Sequence, residues 1–258
     1  GLRWVFELRR GVRFHDDSPF DADAVVFSFE RQRDPRHPFF DPGFSYWRTS
    51  FSHIVSVRRL SRYQVELRTR RPFAPFLANL AMYPVSIVSP RSFQKGGAAQ
   101  RRPVGTGPYR VVSRQRGARV VLERFPGYWG GAPRLRRLLF SVVRGAQRRL
   151  DGLQSGAIDV IFGVQPQDRP LLRLHPEVRL LPARAANVAY LAINTRRPPF
   201  DDVRVRRAIN HAVNKSLIVK LGYQGFAHAA QSPIPPGMWG HQASAGGYRY
   251  APQRARAL

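Results

Sequence analysis

Trp4-Val-Phe-Glu-Leu-Arg-Arg-Gly-Val-Arg-Phe-His-Asp-Asp-Ser-Pro-Phe-Asp-Ala-Asp-Ala-Val-Val-Phe-Ser-Phe-Glu-Arg31 holds a strand, a turn and a capped helix in that order. Trp4, Phe6 and Leu8 alternate with Val5, Glu7 and Arg9. A two-residue period of this kind suits a strand with one buried face. Gly11 permits the turn that follows. Asp21 is predicted to cap a helix whose first turn carries Asp23, an acidic side chain where the helix dipole favours one. Ala22, Val25, Val26 and Phe29 then fall at i, i+3, i+4 and i+7, a single apolar face. Asp34-Pro35 ends the helix, because the residue before a proline is driven out of the helical region. His15-Asp16-Asp17 reads as a polar turn between strand and helix. A metal site would need further ligands at ordered spacing, and the neighbouring sequence offers none.

Composition sets wider bounds. The chain has 258 residues, 43% of them hydrophobic, enough for one large or two modest cores. It contains no apolar run of about 18 residues, the length that would span a bilayer. It opens at Gly1 directly into the strand pattern, without a charged n-region, apolar h-region or cleavage site. The expectation is a cytosolic protein or an internal piece of a longer secreted one. Cysteine is absent, which removes disulfides and thiol chemistry and fits any compartment.

Charge is the unusual number. Lys and Arg total 43 against 16 Asp and Glu, a formal net charge of +27. Only Lys95, Lys215 and Lys220 are lysines. Such an excess can mark a nucleic-acid partner. The arginines, however, occur in ones and twos along the whole chain, whereas a binding element would concentrate them on one face or tail. No zinc finger, basic zipper or RNA-binding aromatic motif accompanies them. No specific nucleic-acid partner is expected, although weak adhesion to anionic lipid or DNA at low salt is.

Further along, residues 37–50 form a loop with more aromatic surface than a plain linker needs. Residues 54–57 and 63–67 suggest a hairpin. A short apolar helix is predicted over Phe76–Met82, and a buried strand over Ile87–Pro90. A loop follows at 94–103. Strands are then expected at Tyr109–Val112 and Arg119–Leu122, joined around Gly117, and at Leu138–Val142. A short helix around Ala146–Leu153 precedes Gly156, and a further strand is expected at Ala157–Phe162. Alternation of strands and helices here suggests a mixed, partly parallel sheet. Asn187–Asn194 reads as a strand before a proline-rich bend. Asp202 caps a helix with Val205, Ala208, Ile209, Ala212 and Val213 on one face. Ser216 is the expected cap of a second helix running to Leu221. Residues 243–258 show no clear periodicity.

Four ordered blocks resemble one family. They are the opening segment; Pro103-Val-Gly-Thr-Gly-Pro-Tyr109 with Val121-Leu-Glu-Arg-Phe-Pro-Gly-Tyr-Trp-Gly-Gly131; Leu150-Asp-Gly-Leu-Gln-Ser-Gly-Ala-Ile-Asp159; and Tyr190-Leu-Ala-Ile-Asn-Thr195 with Pro198-Pro-Phe-Asp-Asp-Val-Arg-Val-Arg-Arg-Ala-Ile-Asn-His-Ala-Val-Asn-Lys215. Together they are similar to the family 5 extracellular solute-binding proteins, the peptide- and nickel-binding receptors of bacterial ABC importers. The resemblance implies an α/β fold of periplasmic-binding-protein type II, two-lobed and hinged, with an extra small domain, here truncated. Residues 1–86 would form the extra α+β domain, 87–186 part of lobe one, and 187–258 the start of an incomplete lobe two. It implies a receptor with no enzymatic activity and no cofactor. Its partners would be a peptide or small solute and the ABC permease subunits. The whole protein would be a monomer in the periplasm or another extracytoplasmic space, with lipid anchoring as an option. A nickel or metal-chelate receptor of the same family is the alternative, and a basic nucleic-acid-binding protein the alternative from another class. Val143-Arg144-Gly145 departs from the Pro-Asp helix start that relatives often carry. Gly145 is a weaker cap, so that helix start is expected to fray.

Three residues carry the binding expectation. Trp47 stands seven residues before the Ile54 strand, where nickel-binding relatives place a cleft tryptophan; packing inside the extra domain is the other reading. No arginine around Tyr83-Pro84 matches the one those relatives use. Tyr190 and Asn194 lie on one face of the expected strand. Both could hydrogen-bond a peptide backbone in a cleft, or serve as a core tyrosine and a strand-ending asparagine. Gly105-Thr106-Gly107 lacks the third glycine and the lysine of nucleotide-binding loops and reads as a tight turn. The seven histidines are scattered, and neither a His-Glu-x-x-His motif nor a serine elbow is present.

Overall fold

In the computed structural model, β1 (Arg3–Glu7) pairs antiparallel with β3 (Gln64–Thr69), setting Trp4 opposite Leu67 and Phe6 opposite Val65. β2 (Ile54–Ser61) pairs with the other edge of β3, giving the order β1-β3-β2. The structure describes residues 1–94, 102–183, 185–242 and 246–258. Two compact units emerge, Gly1–Val143 and Arg144–Leu258. Most of the expected 94–103 loop, and the residues with which the expected unpatterned end begins at Ala243, lie outside the described residues.

In the N-terminal unit, α1 (Ala22–Arg33) lays Ala22, Val25 and Phe29 on the sheet. Phe51, Ile54, Val57, Val65, Leu67 and Phe76 complete that core. Each fully buried side chain of this size contributes roughly 1.5–3 kcal/mol. Asp21 Oδ1 accepts the Ala24 N–H at 3.4 Å, the cap read from sequence, and the chain leaves the helix at Asp34. Glu66 on β3 accepts hydrogen bonds from Arg68, at 2.6 Å, and from Arg3. These two guanidiniums hold its carboxyl below the usual carboxylate range. The chain then forms a π-helical turn at Trp47–Phe51, α2 (Phe76–Leu80), a 3-10 turn at Tyr83–Val85 and α3 (Pro90–Gln94). A second antiparallel sheet follows, β4 (Tyr109–Gln115), β5 (Arg119–Arg124) and β6 (Arg137–Ser141), in chain order. Gly117 makes the β4–β5 turn at φ +73°, a conformation glycine adopts without steric cost.

The C-terminal unit holds α4 (Ala146–Gln154), α5 (Arg169–Leu174), α6 (Val203–Ala212), α7 (Lys215–Gly222) and α8 (Pro252–Ala257). Gly145 at the start of α4 gives no side-chain cap, as its identity dictates. Asp202 caps α6, accepting the Arg204 N–H at 2.7 Å.

Several expected elements differ. Both sheets are antiparallel, so the partly parallel sheet is not formed among the described residues. Residues 87–89 are not a strand. The Val88 N–H donates to Ser28 Oγ at 3.0 Å and the Ser89 N–H to the Val104 carbonyl at 3.0 Å. Side-chain and loop acceptors thus replace a ladder. Residues 157–162 and 187–194 are also outside any strand. Among the described residues, no backbone group of 188–193 makes a hydrogen bond to another backbone group. An apolar run marks a segment for burial, but only a paired neighbour makes it a strand. The cap of α7 is Asn214, whose Oδ1 accepts the Leu217 N–H at 2.9 Å, and not Ser216. The C-terminus is ordered where no periodicity announced it. The Ala251 N–H donates to the His211 carbonyl at 2.9 Å, and Tyr248 sets its ring edge-on to His211 at 5.1 Å. His211 Nδ1 lies 2.9 Å from the Arg249 carbonyl, so these contacts tie the segment before α8 to α6. No helix among the described residues is long and apolar enough to cross a membrane.

Candidate functional site

Trp47 points inward. Only 6% of it is exposed, and its ring meets Phe29 edge-on and Phe51 at a tilt, both at 6.0 Å. Its neighbours point outward. Tyr46 lies against Phe44 at 5.5 Å with the rings tilted by 44°, and meets Tyr83 edge-on at 5.4 Å. Tyr83 is 66% exposed. Its hydroxyl is pushed above the ordinary phenol range, first by the hydrogen bond with Tyr46. Sequence reasoning missed this outer trio. Its signal was the aromatic density of residues 37–47, but Tyr83 arrives from the distant turn after α2. The Asn79 amide donates to the Ser50 carbonyl at 3.4 Å, tying α2 to the turn that carries Trp47. With Tyr46 and Tyr83 exposed and Phe44 half-buried behind them, the trio offers ring faces and edges for stacking on a flat or apolar solute.

Tyr190 and Asn194 lie in the C-terminal unit, on the extended segment that pairs with nothing described. Tyr190 is 82% exposed. Asn194 Oδ1 accepts the Arg196 N–H at 3.1 Å, and its carbonyl accepts the Arg197 N–H at 3.2 Å, beginning the turn into Pro198-Pro199. Asn194 therefore ends the extended segment, while its amide N–H groups face no described acceptor. Trp47 belongs to one unit and the Tyr190/Asn194 pair to the other.

His15-Asp16-Asp17 proves to be a structural knot. Asp16 Oδ2 accepts from Ser89 Oγ at 2.6 Å, while Oδ1 accepts the Ser18 N–H at 3.1 Å and the Ser18 hydroxyl. His15 Nε2 sits 2.9 Å from the Gly107 carbonyl, and its backbone N–H donates to the Gly105 carbonyl at 2.9 Å. Gly105-Thr106-Gly107 thus clasps the turn that precedes α1. Burial, outweighing the Gly107 hydrogen bond, holds His15 below its ordinary value of 6.5. Burial would raise Asp16, but the hydrogen bonds from Ser18 and Ser89 outweigh it and bring the carboxyl down. Among the described residues no three His, Cys, Asp or Glu side chains gather where a metal ion could sit.

Residues 1–258 match the family described as bacterial extracellular solute-binding proteins, family 5 middle. The chain belongs to this family. The dipeptide-binding protein of Escherichia coli K12 is 35% identical over 275 aligned residues, covering 100% of this chain and 51% of that protein. Heme-binding protein A of Haemophilus influenzae is 36% identical, again over 100% of this chain and 50% of the relative. Among solved structures, the ABC transporter-associated periplasmic binding protein DppA of Helicobacter pylori, in complex with the peptide STSA, superposes with a TM-score of 0.86. It is 31% identical and covers 100% of this chain and 54% of its own. The fold is therefore that of the family 5 periplasmic binding proteins of type II, and the chain spans about half the length of the relatives it matches. The family is one of solute-binding proteins, not of enzymes.

Proposed function

We propose that the chain is part of the substrate-binding component of a bacterial ABC importer. The whole protein binds peptides between two lobes and delivers them, chemically unchanged, to membrane permease subunits. The observation that carries this reading is the match of the entire chain to a dipeptide-binding protein at 35% identity. Its fit to a peptide-bound receptor at a TM-score of 0.86 adds support. In this reading residues 1–86 act as the extra domain, 87–186 as part of lobe one and 187–258 as the beginning of lobe two. The protein works as a monomer outside the cytoplasm. Ligand contacts from both lobes favour a closed state, and the importer recognises that state.

Tyr190 and Asn194 are proposed to meet the peptide. A phenol and a carboxamide on an extended, unpaired segment offer the donors and acceptors that a peptide backbone needs. Trp47 enters as the inner member of the 44–47 loop, whose outer rings can stack on a solute. The relative that binds heme, at 36% identity, favours a second reading, a receptor for a non-peptide solute such as a metal chelate.

Thermal shifts of the full-length protein against di- and oligopeptides, nickel chelates, heme and duplex DNA, in moderate salt, test these readings. Saturable stabilisation by peptides supports the first. A shift with heme or a chelate alone moves the assignment to the second. A shift with DNA alone makes the +27 charge functional and overturns both.

A further inference from the structure

The C-terminal unit contains a cavity of about 360 Å3 that neither Tyr190 nor Asn194 lines. Arg169, Arg173 and Arg179 stand around it, against Leu172, Val178 and Pro182. Arg169 and Arg173 are spaced i, i+4 on α5, so they rise from the same helix face. The chain turns at His175, whose N–H donates to the Leu172 carbonyl at 3.3 Å, and returns with Arg179. Among the described residues none of these three guanidiniums makes an ion pair. Asp168 and Glu177, in the same stretch, leave them unpaired.

Arg169 is held against an aromatic ring. Its guanidinium lies over the Phe226 ring, 3.2 Å from the centroid. Its Nε is buried and has no hydrogen-bond partner. Stacking on a ring fixes the plane of a guanidinium and leaves its edges free for paired hydrogen bonds. His175 Nδ1, in the same turn, is a second buried polar atom without a partner. Burial and then the charge of Arg173 push Arg169 below its usual range. Three like charges around one cavity, without a counter-charge among the described residues, are the feature that a bound anion would relieve.

We propose that this cavity binds a compact solute carrying two or more oxyanion charges, a small phosphate ester or polycarboxylate. Arg169 supplies a flat two-pronged donor, and Arg173 and Arg179 add charge-assisted hydrogen bonds. Leu172, Val178 and Pro182 give the cavity an apolar side. The volume lies at the small end of the range typical of ligand pockets, roughly 300–1,000 Å3. This site is independent of the peptide reading, since it uses none of Trp47, Tyr190 and Asn194.

The test is calorimetric titration of the full-length protein with inorganic pyrophosphate and, separately, with citrate, at about 0.15 M salt, where surface charge is largely screened. One saturable site is expected for at least one of the two anions, and the stronger ligand distinguishes phosphate from carboxylate chemistry. Arg173→Gln and Arg179→Gln should each weaken it about tenfold, the effect of losing one charge-assisted hydrogen bond. Both side chains are exposed, so these changes leave the fold intact. Arg169→Lys, which keeps the charge and loses the fork, should also weaken it. Arg254→Gln on α8, an exposed control, should not. Many weak sites insensitive to Arg173→Gln would overturn the proposal in favour of general adhesion to a cationic surface. Absence of binding to either anion, or binding only to phosphatidylglycerol vesicles, would overturn it as well.

Discussion

The two units of this chain use the same alphabet and solve burial differently. In the N-terminal unit a three-stranded sheet, α1 and the 47–51 turn enclose Phe51, Ile54, Leu67 and Phe76, each at most 2% exposed. Beyond Val143, the apolar side chains buried among the described residues are Leu150 and Leu172. Phe162, Leu174, Leu181, Leu191 and Trp239 each stand more than 70% exposed there. The comparison teaches that an apolar pattern states a demand for burial, and that only a neighbouring element can meet it. β1 meets β3 inside its own unit. The segment at 187–194, apolar from Val188 to Ile193, makes the same demand and meets no described partner.

This contrast can be broken by mutation. The largest effect is expected for Phe51→Ala or Phe76→Ala, which should cost roughly 3–5 kcal/mol in urea unfolding, whereas Phe162→Ala should stay within about 0.5 kcal/mol. Equal costs would erase the distinction between the units. Trp47→Ala should behave like the core substitutions, because its ring is packed between Phe29 and Phe51. A mild stability effect joined to a large loss of solute affinity would instead make Trp47 a direct ligand contact.

The knot around Asp16 sharpens the account of the N-terminal unit. Asp16→Ala removes the acceptor of buried Ser18 and Ser89 hydroxyls, at a cost of about 1–3 kcal/mol. The knot also gives the unit an acid limit. His15 titrates below 6.5 in the folded chain, so the unfolded chain binds the extra proton first, and stability falls as pH drops below that value. Asp16 titrates below 3.8 when folded. Its contribution is present above 3.8 and is lost as pH falls through the folded value. Urea midpoints followed from pH 8 to pH 3 should therefore decline in two stages. In Asp16→Ala the lower stage should shrink, the remainder coming from Glu66, Asp34 and Asp202, which are also held low, and an unchanged profile would contradict the assignment.

A smaller effect, about 1 kcal/mol in urea unfolding, is expected for Asp21→Ala at the cap of α1. The smallest belongs to Tyr190→Phe, which should leave stability within about 0.5 kcal/mol because the ring is in solvent. A larger loss would show that the extended segment is packed in solution.

The same contrast separates what sequence could and could not disclose. Helices capped by Asp21 and Asp202 were legible because cap and apolar face lie within a few residues of one another. The 54–69 hairpin was legible for the same reason. Strands at 87–90, 157–162 and 187–194 were misread because pairing depends on distant backbone that a local apolar run does not reveal. Asn214 and Ser216 are both capping residues two positions apart, and the first satisfies the helix. At the site, the aromatic loop was visible but its polarity was not. Trp47 faces in and Tyr46 faces out, toward a tyrosine on another turn. Arg169, Arg173 and Arg179 were invisible because arginine is everywhere in this chain. Only the fold shows which three share a cavity and lack a counter-charge.

The most direct test of the central claim is calorimetric titration of a dipeptide series into the full-length protein and its Asn194→Ala and Tyr190→Phe variants. The expected result is one saturable site, weakened about tenfold by Asn194→Ala through a lost hydrogen bond of about 1.4 kcal/mol to the ligand, with stability lowered by no more than about 1 kcal/mol through the lost Arg196 turn hydrogen bond. Binding that neither variant alters would contradict the assignment of those residues, and the absence of binding to any peptide would contradict the peptide-receptor reading itself.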